Sequence, residues 1–195
     1  MIEYYKNIID TITNSLDSIN EVEFQKMLEN SEKVIKNGGK LIFSGLGKNV
    51  PICEKIVGTL NSLGISADFM HTNTAMHGDL GMIKQNDLVF VLSKSGNTFE
   101  TLLLANFLVK RKDNAYAITF NKDCKLKDIL PQSLTLNLKN EGDNWNIIPN
   151  NSTSVYLILL QGFALQLADR LNITLQDFKK NHPGGAIGEE LKDVR

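Results

Sequence analysis

The stretch that decides the fold is Leu88-Val89-Phe90-Val91-Leu92, followed by Ser93-Lys94-Ser95-Gly96-Asn97-Thr98-Phe99-Glu100. The five apolar residues are typical of a buried strand, and helical spacing of the apolar residues after Thr98 predicts a helix over 98–110. Three hydroxyl side chains, of Ser93, Ser95 and Thr98, lie between them. At a helix start they join unpaired N–H groups and the positive end of the helix dipole. This unit predicts phosphate binding, with an ordinary N-cap as the alternative.

The rest of the chain repeats this alternation of strand and helix. Two amphipathic helices, separated near 17–20, come first, and Asn20 with Glu23 resembles a capping box. Further strands are predicted at 40–44, 65–70, 115–120 and 134–138, and a further helix at 50–63. This order predicts an α/β fold with a five-stranded parallel sheet covered on both faces.

Several polar loops follow strands of that sheet. Ligands of such sheets bind beyond the carboxyl ends of the strands, where the strand order reverses. The loops at Gly45, His77 and Ser93 all fall at that edge, and Glu141 follows the fifth strand there. This edge is therefore the predicted site.

Composition limits the class of protein. The 195 residues suit one large domain, and 42% hydrophobic residues with a net charge of −1 argue against disorder or a nucleic-acid surface. The two cysteines match no disulfide framework, and the chain shows neither metal-ligand spacing, a signal core nor a membrane span, so we expect a cytoplasmic protein without a metal or cofactor. Gly45-Leu46-Gly47 with Asp68 resembles a dinucleotide motif, but Val50 occupies the third glycine position.

The segment 152–171 is apolar nearly all round. A helix of this composition is buried on most faces, and we expect it to be mostly buried between subunits.

Charged side chains near the predicted edge have two interpretations each. Lys48 lies near a helix start, where a cation opposes the dipole, so an anionic ligand or simple solvation would explain it. Glu100 either supports the first turn of its helix or acts in chemistry. His77 is a surface residue or a site residue, and His182 precedes Pro183, which holds its backbone extended.

Four motifs together resemble the sugar isomerase (SIS) family, and within it the D-arabinose 5-phosphate isomerases. They are Gly45-Leu46-Gly47-Lys48, His77-Gly78-Asp79-Leu80-Gly81-Met82-Ile83, the Ser93 to Glu100 stretch, and His182-Pro183-Gly184-Gly185-Ala186-Ile187-Gly188. The resemblance implies a three-layer, flavodoxin-like sandwich forming a single domain over 1–195, with helices at 1–38 and the sheet core at 39–195. It also implies a homotetramer whose active sites are completed by neighbouring subunits.

The resemblance further implies interconversion of D-ribulose 5-phosphate and D-arabinose 5-phosphate through an enediol, supplying the precursor of the sugar Kdo. The implied catalytic residues are Lys48, Glu100, Glu141, His182 and His77. The implied substrate-binding residues are Gly47, Asn49, Ser93, Lys94, Ser95, Thr98, His77, Asp79 and Ser152. The sequence does not decide which of Glu100, Glu141, His77 and His182 is the base that removes the proton from carbon.

The chain departs from the family at several positions. Asn49 replaces a usual serine, Lys94 replaces a usual asparagine and adds charge near the phosphate, and Asn150-Asn151 replaces a hydroxyl-rich run. We expect the regulatory cystathionine-β-synthase-like domains common in the family to be absent, since the sequence stops at Arg195. An isomerase of a hexulose or heptulose phosphate, or a non-catalytic sugar-phosphate sensor, remains the alternative.

Overall fold

The computed structural model describes residues 2–193, which form five strands and eight α-helices. In chain order they are α1 Ile2–Asp17, α2 Glu21–Lys36, β1 Leu41–Gly45, α3 Val50–Ser62, β2 Ala67–His71, β3 Leu88–Leu92, α4 Phe99–Arg111, β4 Asn114–Thr119, α5 Lys125–Ile129, β5 Ser133–Thr135, α6 Asn151–Arg170, α7 Leu175–Lys180 and α8 Gly185–Leu191. The Asn20 side chain caps α2 by accepting from Glu23 N at 3.1 Å, which is half of the predicted box.

The predicted parallel sheet is confirmed, with strand order β2-β1-β3-β4-β5. Chain order reverses between β1 and β3, because α3 carries the chain from β1 to one side and the next crossover returns it to the other. The crevice above this reversal is where doubly wound sheets bind ligands.

Some predicted boundaries are wrong. The fifth strand ends at Thr135 instead of residue 138, and the second begins at Ala67 instead of residue 65. The loop after β2 contains two 3₁₀ turns, and α5 and α8 were not predicted. These helices have five and seven residues, too short for a periodic apolar pattern to develop.

Apolar layers cover both faces of the sheet. On one face, strand residues such as Phe43 and Phe90, stacked at 4.8 Å, pack against α2, α3 and α6. On the other, Val89 and Val91 pack against Leu104 and Leu108 of α4. The helix–sheet–helix arrangement confirms the three-layer α/β class.

Most of the burial of α6 occurs inside the chain, so the interface explanation of its composition is wrong. Ten of its residues are buried, and its neighbours are α1, α2 and α3. Leu159, for example, is only 4% exposed. Packing against these three helices and against the sheet accounts for apolar residues nearly all round it. Only Ile158 and Leu165 are large apolar residues exposed on this helix.

None of the helices within residues 2–193 is long and apolar enough to cross a membrane.

Candidate active site

The crevice between the carboxyl ends of β1 and β3 is bounded by a glycine turn, residues 45–49, and by the serine loop, residues 93–98. The turn follows β1, and Gly47 adopts a positive φ of 58° there. Asn49 links the two walls, since its side-chain Nδ2 donates to the carbonyl of Leu92 at 3.3 Å. Asn49 therefore ties the glycine turn to the end of β3, just before the serine loop.

The serine loop presents two hydroxyl groups at the start of α4. Ser93 is buried, and its Oγ accepts from Gly96 N at 3.2 Å, so it shapes the loop. Ser95 accepts from Asn97 N at 3.2 Å, and its Oγ lies 3.5 Å from that of Thr98. Thr98 occupies the N-cap position, yet its side chain makes no capping bond to the described residues of α4.

This geometry disfavours the ordinary N-cap interpretation. The first N–H groups of α4 have no intrahelical acceptor and no side-chain cap. An anion placed there would accept from them, from the Ser95 and Thr98 hydroxyls, and would face the positive end of the helix dipole.

The segment after β4 holds the serine loop, and sequence analysis did not identify it. Thr119 Oγ1 donates to Lys94 O at 3.1 Å, Asn121 Nδ2 donates to Ser95 O at 3.0 Å, and Lys125 N donates to Asn97 Oδ1 at 3.1 Å. The available sequence signal was their position: β4 neighbours β3, so its carboxyl end meets the serine loop.

Lys48 follows β1 in the glycine turn and Glu100 follows the serine loop, and neither charged side chain has a partner in the described part of the chain. Lys48 is exposed in the 3₁₀ turn Gly47–Asn49, and within residues 2–193 it forms neither an ion pair nor a hydrogen bond. Glu100 is half-buried in the first turn of α4, and its carboxylate likewise accepts no hydrogen bond from the described part of the chain. Within residues 2–193, this edge of the sheet therefore carries one cation and one carboxylate whose side chains have no protein partner.

Glu141, by contrast, is a fully paired carboxylate. Its side chain is buried, and Oε1 accepts from Ser152 Oγ and pairs with Lys94 Nζ, both at 2.6 Å. Oε2 accepts from Asn150 N at 3.0 Å and Ser152 N at 2.9 Å. Burial raises the pKa of Glu141, but the bonds from Lys94, Ser152 and Asn150 outweigh it and hold the pKa below its usual value.

Two predicted binding residues are therefore engaged with Glu141. The Ser152 hydroxyl donates to the Glu141 carboxylate, and Ser152 is buried at the start of α6. The Lys94 ammonium belongs to the serine loop but pairs with Glu141 across the end of β4. Lys94 thus differs from Lys48, which has no such partner among the described residues.

His77 and Asp79 lie beyond β2, the strand beside β1. His77 is exposed at the end of the 3₁₀ turn Thr74–His77, and Gly78 adopts a positive φ of 118° after it. Asp79 accepts from Thr74 Oγ1, which braces the loop. Because β1 and β2 are parallel neighbours, this loop and the Lys48 turn share one edge of the sheet.

His182 lies elsewhere in the chain. Its Nε2 is 2.9 Å from Ser62 Oγ at the last residue of α3, and its Nδ1 is 2.8 Å from the carbonyl of Phe178. Because α3 begins beside Lys48 and ends at Ser62, His182 sits at the opposite edge of the sheet. The tail is also better anchored than the sequence suggested, since α8 follows and Asn181 Nδ2 donates to Ser62 O.

The acidic residue that a dinucleotide site would need, Asp68, does not lie at the crevice. Asp68 lies near the start of β2, and its carboxylate pairs with Lys40 Nζ at 2.6 Å, away from the crevice. Across residues 2–193, no group of three or more His, Cys, Asp or Glu side chains is arranged to hold a metal ion.

Comparison with known proteins identifies the family. The model of the SIS domain matches residues 34–168, more than half of the chain. The chain belongs to the SIS domain family. This assignment covers the whole sheet, the serine loop and most of α6, so the crevice described above lies within the matched domain.

The chain is similar to three relatives whose names refer to arabinose 5-phosphate or to a phosphosugar isomerase. The arabinose 5-phosphate isomerase KdsD of Francisella tularensis is 32% identical over 190 residues, covering 97% of the chain and 58% of the relative. An Escherichia coli structure in complex with arabinose 5-phosphate has a TM-score of 0.86 and 30% identity, covering 92% of this chain and 94% of that one. A putative phosphosugar isomerase involved in capsule formation from Bacteroides fragilis has a TM-score of 0.87 and 29% identity, covering 95% and 98%. The SIS domain spans about half the length of the curated relatives it matches.

Proposed function

We propose that this SIS domain is an aldose–ketose isomerase that interconverts D-ribulose 5-phosphate and D-arabinose 5-phosphate. The observation that carries the proposal is the pair of charges without partners in the described chain, Lys48 and Glu100, beside a helix start that has no side-chain cap and carries the hydroxyls of Ser95 and Thr98. The similarity to the E. coli structure in complex with arabinose 5-phosphate and to the F. tularensis isomerase supports the choice of sugar.

The serine loop binds the phosphate in this proposal. Ser95, Thr98 and the first N–H groups of α4 supply the donors, in the geometry already described. The phosphate is remote from C1 and C2, so its binding energy can position the reacting carbons. A phosphate on the 5-oxygen also prevents the ketose from closing a five-membered ring, so only the aldose requires ring opening.

The isomerisation transfers a proton between two carbons. A base removes the proton from C1 of the ketose and returns it to C2, while an acid moves a proton between O1 and O2. Glu100 is a carboxylate at the crevice without a competing donor among the described residues, which suits it to proton transfer. Lys48 suits the negative enediolate, because a fixed cation stabilises charge that develops in the transition state.

Two histidines complete the candidate set. His77 reaches the same sheet edge from the β2 loop, while His182 lies at the opposite edge of its own chain. We therefore assign His182 to the active site of a second copy of the chain, in a homotetramer with shared sites. The product would supply the Kdo precursor of lipopolysaccharide or capsule.

A substrate panel tests the proposal. Pentose, hexose and heptose phosphates are incubated with the protein, and aldose–ketose interconversion is followed by NMR, together with exchange of the C1 or C2 proton with solvent. Arabinose 5-phosphate and ribulose 5-phosphate should interconvert fastest. Lys48→Met should abolish turnover, whereas Lys55→Met, an exposed lysine further along α3, should not.

Turnover of a hexulose or heptulose phosphate in preference to the pentoses would contradict the choice of sugar. Binding of sugar phosphates without any interconversion or proton exchange would contradict the isomerase and favour a sensor.

A further inference from the structure

The side chain of Lys94 leaves the serine loop and reaches a carboxylate that belongs to another part of the fold. The main chain of Lys94 is fixed from below, since its carbonyl accepts from Phe120 N and from Thr119 Oγ1, each at 3.1 Å. Its Nζ pairs with Glu141 Oε1 at 2.6 Å. Lys94 thus joins the loop after β3 to the segment after β5, passing over the end of β4.

Glu141 in turn anchors the start of α6. Its two oxygens take four donors: the Lys94 ammonium, the Ser152 hydroxyl and the N–H groups of Asn150 and Ser152. These N–H groups belong to the start of α6, where a carboxylate also meets the positive end of the helix dipole. The carboxylate is buried, whereas 41% of the Lys94 side chain is exposed.

This arrangement leaves Glu141 poorly suited to proton transfer. A base needs a lone pair directed at the substrate proton, and all the donors around Glu141 belong to the protein. The other titratable group near it, Tyr156, donates its hydroxyl to the carbonyl of Ile118 at 3.0 Å, and burial first of all holds the pKa of Tyr156 well above its usual value. Tyr156 therefore stays neutral and does not compete with Glu141 for the Lys94 ammonium.

We propose that Lys94 and Glu141 form a positioning pair, which holds the serine loop against the start of α6 and contacts the substrate through neither side chain. The expected effect of the pair on kcat and KM rests on the proposed isomerase function. Its expected effect on phosphate affinity does not. The pair assigns to Lys94 a role different from that of a phosphate ligand, although it lies between Ser93 and Ser95.

The pair predicts that its two members depend on each other. Without the Lys94 charge, the buried carboxylate loses its only ionic partner among the described residues and the loop loses its link to α6. With glutamine at 141, only one acceptor oxygen remains, and the amide N–H groups face the Lys94 ammonium and the Ser152 hydroxyl. Removing both charges relieves the electrostatic conflicts, so the double variant retains only the loss of the link between the loop and α6.

A double-mutant cycle tests the proposal with Lys94→Met, Glu141→Gln and the double variant. Affinity for inorganic phosphate is measured by calorimetry, and kcat and KM for arabinose 5-phosphate by NMR. Each single change should weaken phosphate binding about tenfold, and the double variant should recover to within about threefold of the wild type, as coupled neighbours do. Lys94→Arg should retain the wild-type affinity, and Lys139→Met, an exposed lysine nearby, is the control.

The pH dependence adds a measure that a purely structural role would not change. In Lys94→Met the carboxylate of Glu141 should protonate at higher pH than in the wild type, which removes the unpaired buried charge, so kcat/KM should rise toward that of the double variant as the pH falls. Glu141→Gln and the double variant should lack that rise.

Three results would overturn the positioning pair. One is a loss of kcat by about 10²–10⁴ in Glu141→Gln that the double variant shares, since that is the size of an acid–base contribution. Another is a tenfold loss of phosphate affinity on Lys94→Met in the Glu141→Gln background, which would make Lys94 a phosphate ligand. The last is strict additivity of the effects of Lys94→Met and Glu141→Gln on the free energy of phosphate binding. If the protein isomerises no sugar phosphate, the proposed function is contradicted instead. The double-mutant cycle measured by phosphate affinity would still show whether Lys94 and Glu141 act as a positioning pair.

Discussion

Nε2 of His182 lies 2.9 Å from Oγ of Ser62, at the end of α3 opposite the Lys48 turn. The Phe178 carbonyl can only accept, so Nδ1 carries a proton and Nε2 is free to accept from the Ser62 hydroxyl. Since α3 has 13 residues, its two ends are about 20 Å apart at 1.5 Å per residue. Lys48 and His182 of one chain therefore cannot contact the same small substrate in this arrangement.

We expect active hybrids when Lys48→Ala and His182→Ala subunits are dissociated, mixed and reassembled. A shared site in a mixed oligomer can draw Lys48 from one copy and His182 from the other. The measurement is isomerase activity after reassembly, compared with each variant reassembled alone.

Mixing Lys48→Ala with Glu100→Ala is the matched control, because both residues flank the same crevice of one chain. That mixture should show no more activity than its components. If the Lys48 and His182 variants also fail to complement, the shared site is wrong.

The serine-loop hydroxyls should bind phosphate. Ser95→Ala and Thr98→Ala should each raise KM and cost about 1–3 kcal/mol of binding free energy, the range for hydrogen bonds to a charged group. Ser66→Ala, which removes an exposed hydroxyl at the opposite edge of the sheet, is the control. Unchanged kinetics in both loop variants would remove the loop from phosphate binding.

Gly96 should not tolerate alanine. Its φ is +62°, and a Cβ there would collide with Sγ and Cβ of Cys124 beneath the loop. Gly96→Ala should therefore lose phosphate affinity and lower the melting temperature. Gly58→Ala provides the contrast, because that glycine lies within α3 with open space around it, and alanine there should stabilise the helix by about 0.5–1 kcal/mol. Equal behaviour of the two variants would refute the steric explanation.

Leu159 and Leu165 distinguish the core of α6 from its surface. Leu159→Ala should lower the unfolding free energy by about 2–5 kcal/mol, because it leaves a cavity in the core. Leu165 is 60% exposed within one chain. In a monomer, Leu165→Ala should change the unfolding free energy by only about 0.5 kcal/mol or less. Urea unfolding measures both, and a large loss for Leu165→Ala would place this residue at a contact between copies.

The low pKa of Glu141 makes part of the stability dependent on pH. A carboxyl whose pKa is lower in the folded than in the unfolded state stabilises above the unfolded value, 4.5, and loses that contribution as pH falls through the folded value. Glu141→Gln should therefore cost about 1–3 kcal/mol at pH 7. The difference from wild type should shrink as the pH falls below 4.5.

Glu189→Gln is the control for that measurement, because Glu189 is exposed and its one ion pair within residues 2–193 is with Lys192 at the surface. The effect of Glu189→Gln on the unfolding free energy should be near zero at every pH measured. A Glu141→Gln difference that stays constant down to about pH 3 would show that the charge of Glu141 does not stabilise the fold.

Local pattern was enough to predict the strand–turn–helix unit and the parallel sheet. The apolar run at Leu88 to Leu92 can be satisfied only by burial on both faces, and alternation with helices dictates parallel crossovers. Because the carboxyl ends of parallel strands meet at one edge, the order of elements alone brought the Lys48 turn, the His77 loop and the serine loop together.

Partners and separations were decided by the tertiary structure. The sequence cannot show that Lys94 pairs with Glu141, because the two are far apart along the chain and only the sheet brings β3 and β5 to either side of β4. Nor can it show that α1 and α2 cover α6, since an apolar surface does not specify what buries it. Lys48 and His182 both belong to the motifs that resemble the family, and the sequence does not show how far apart they lie. The length of α3 places them at opposite edges of the sheet.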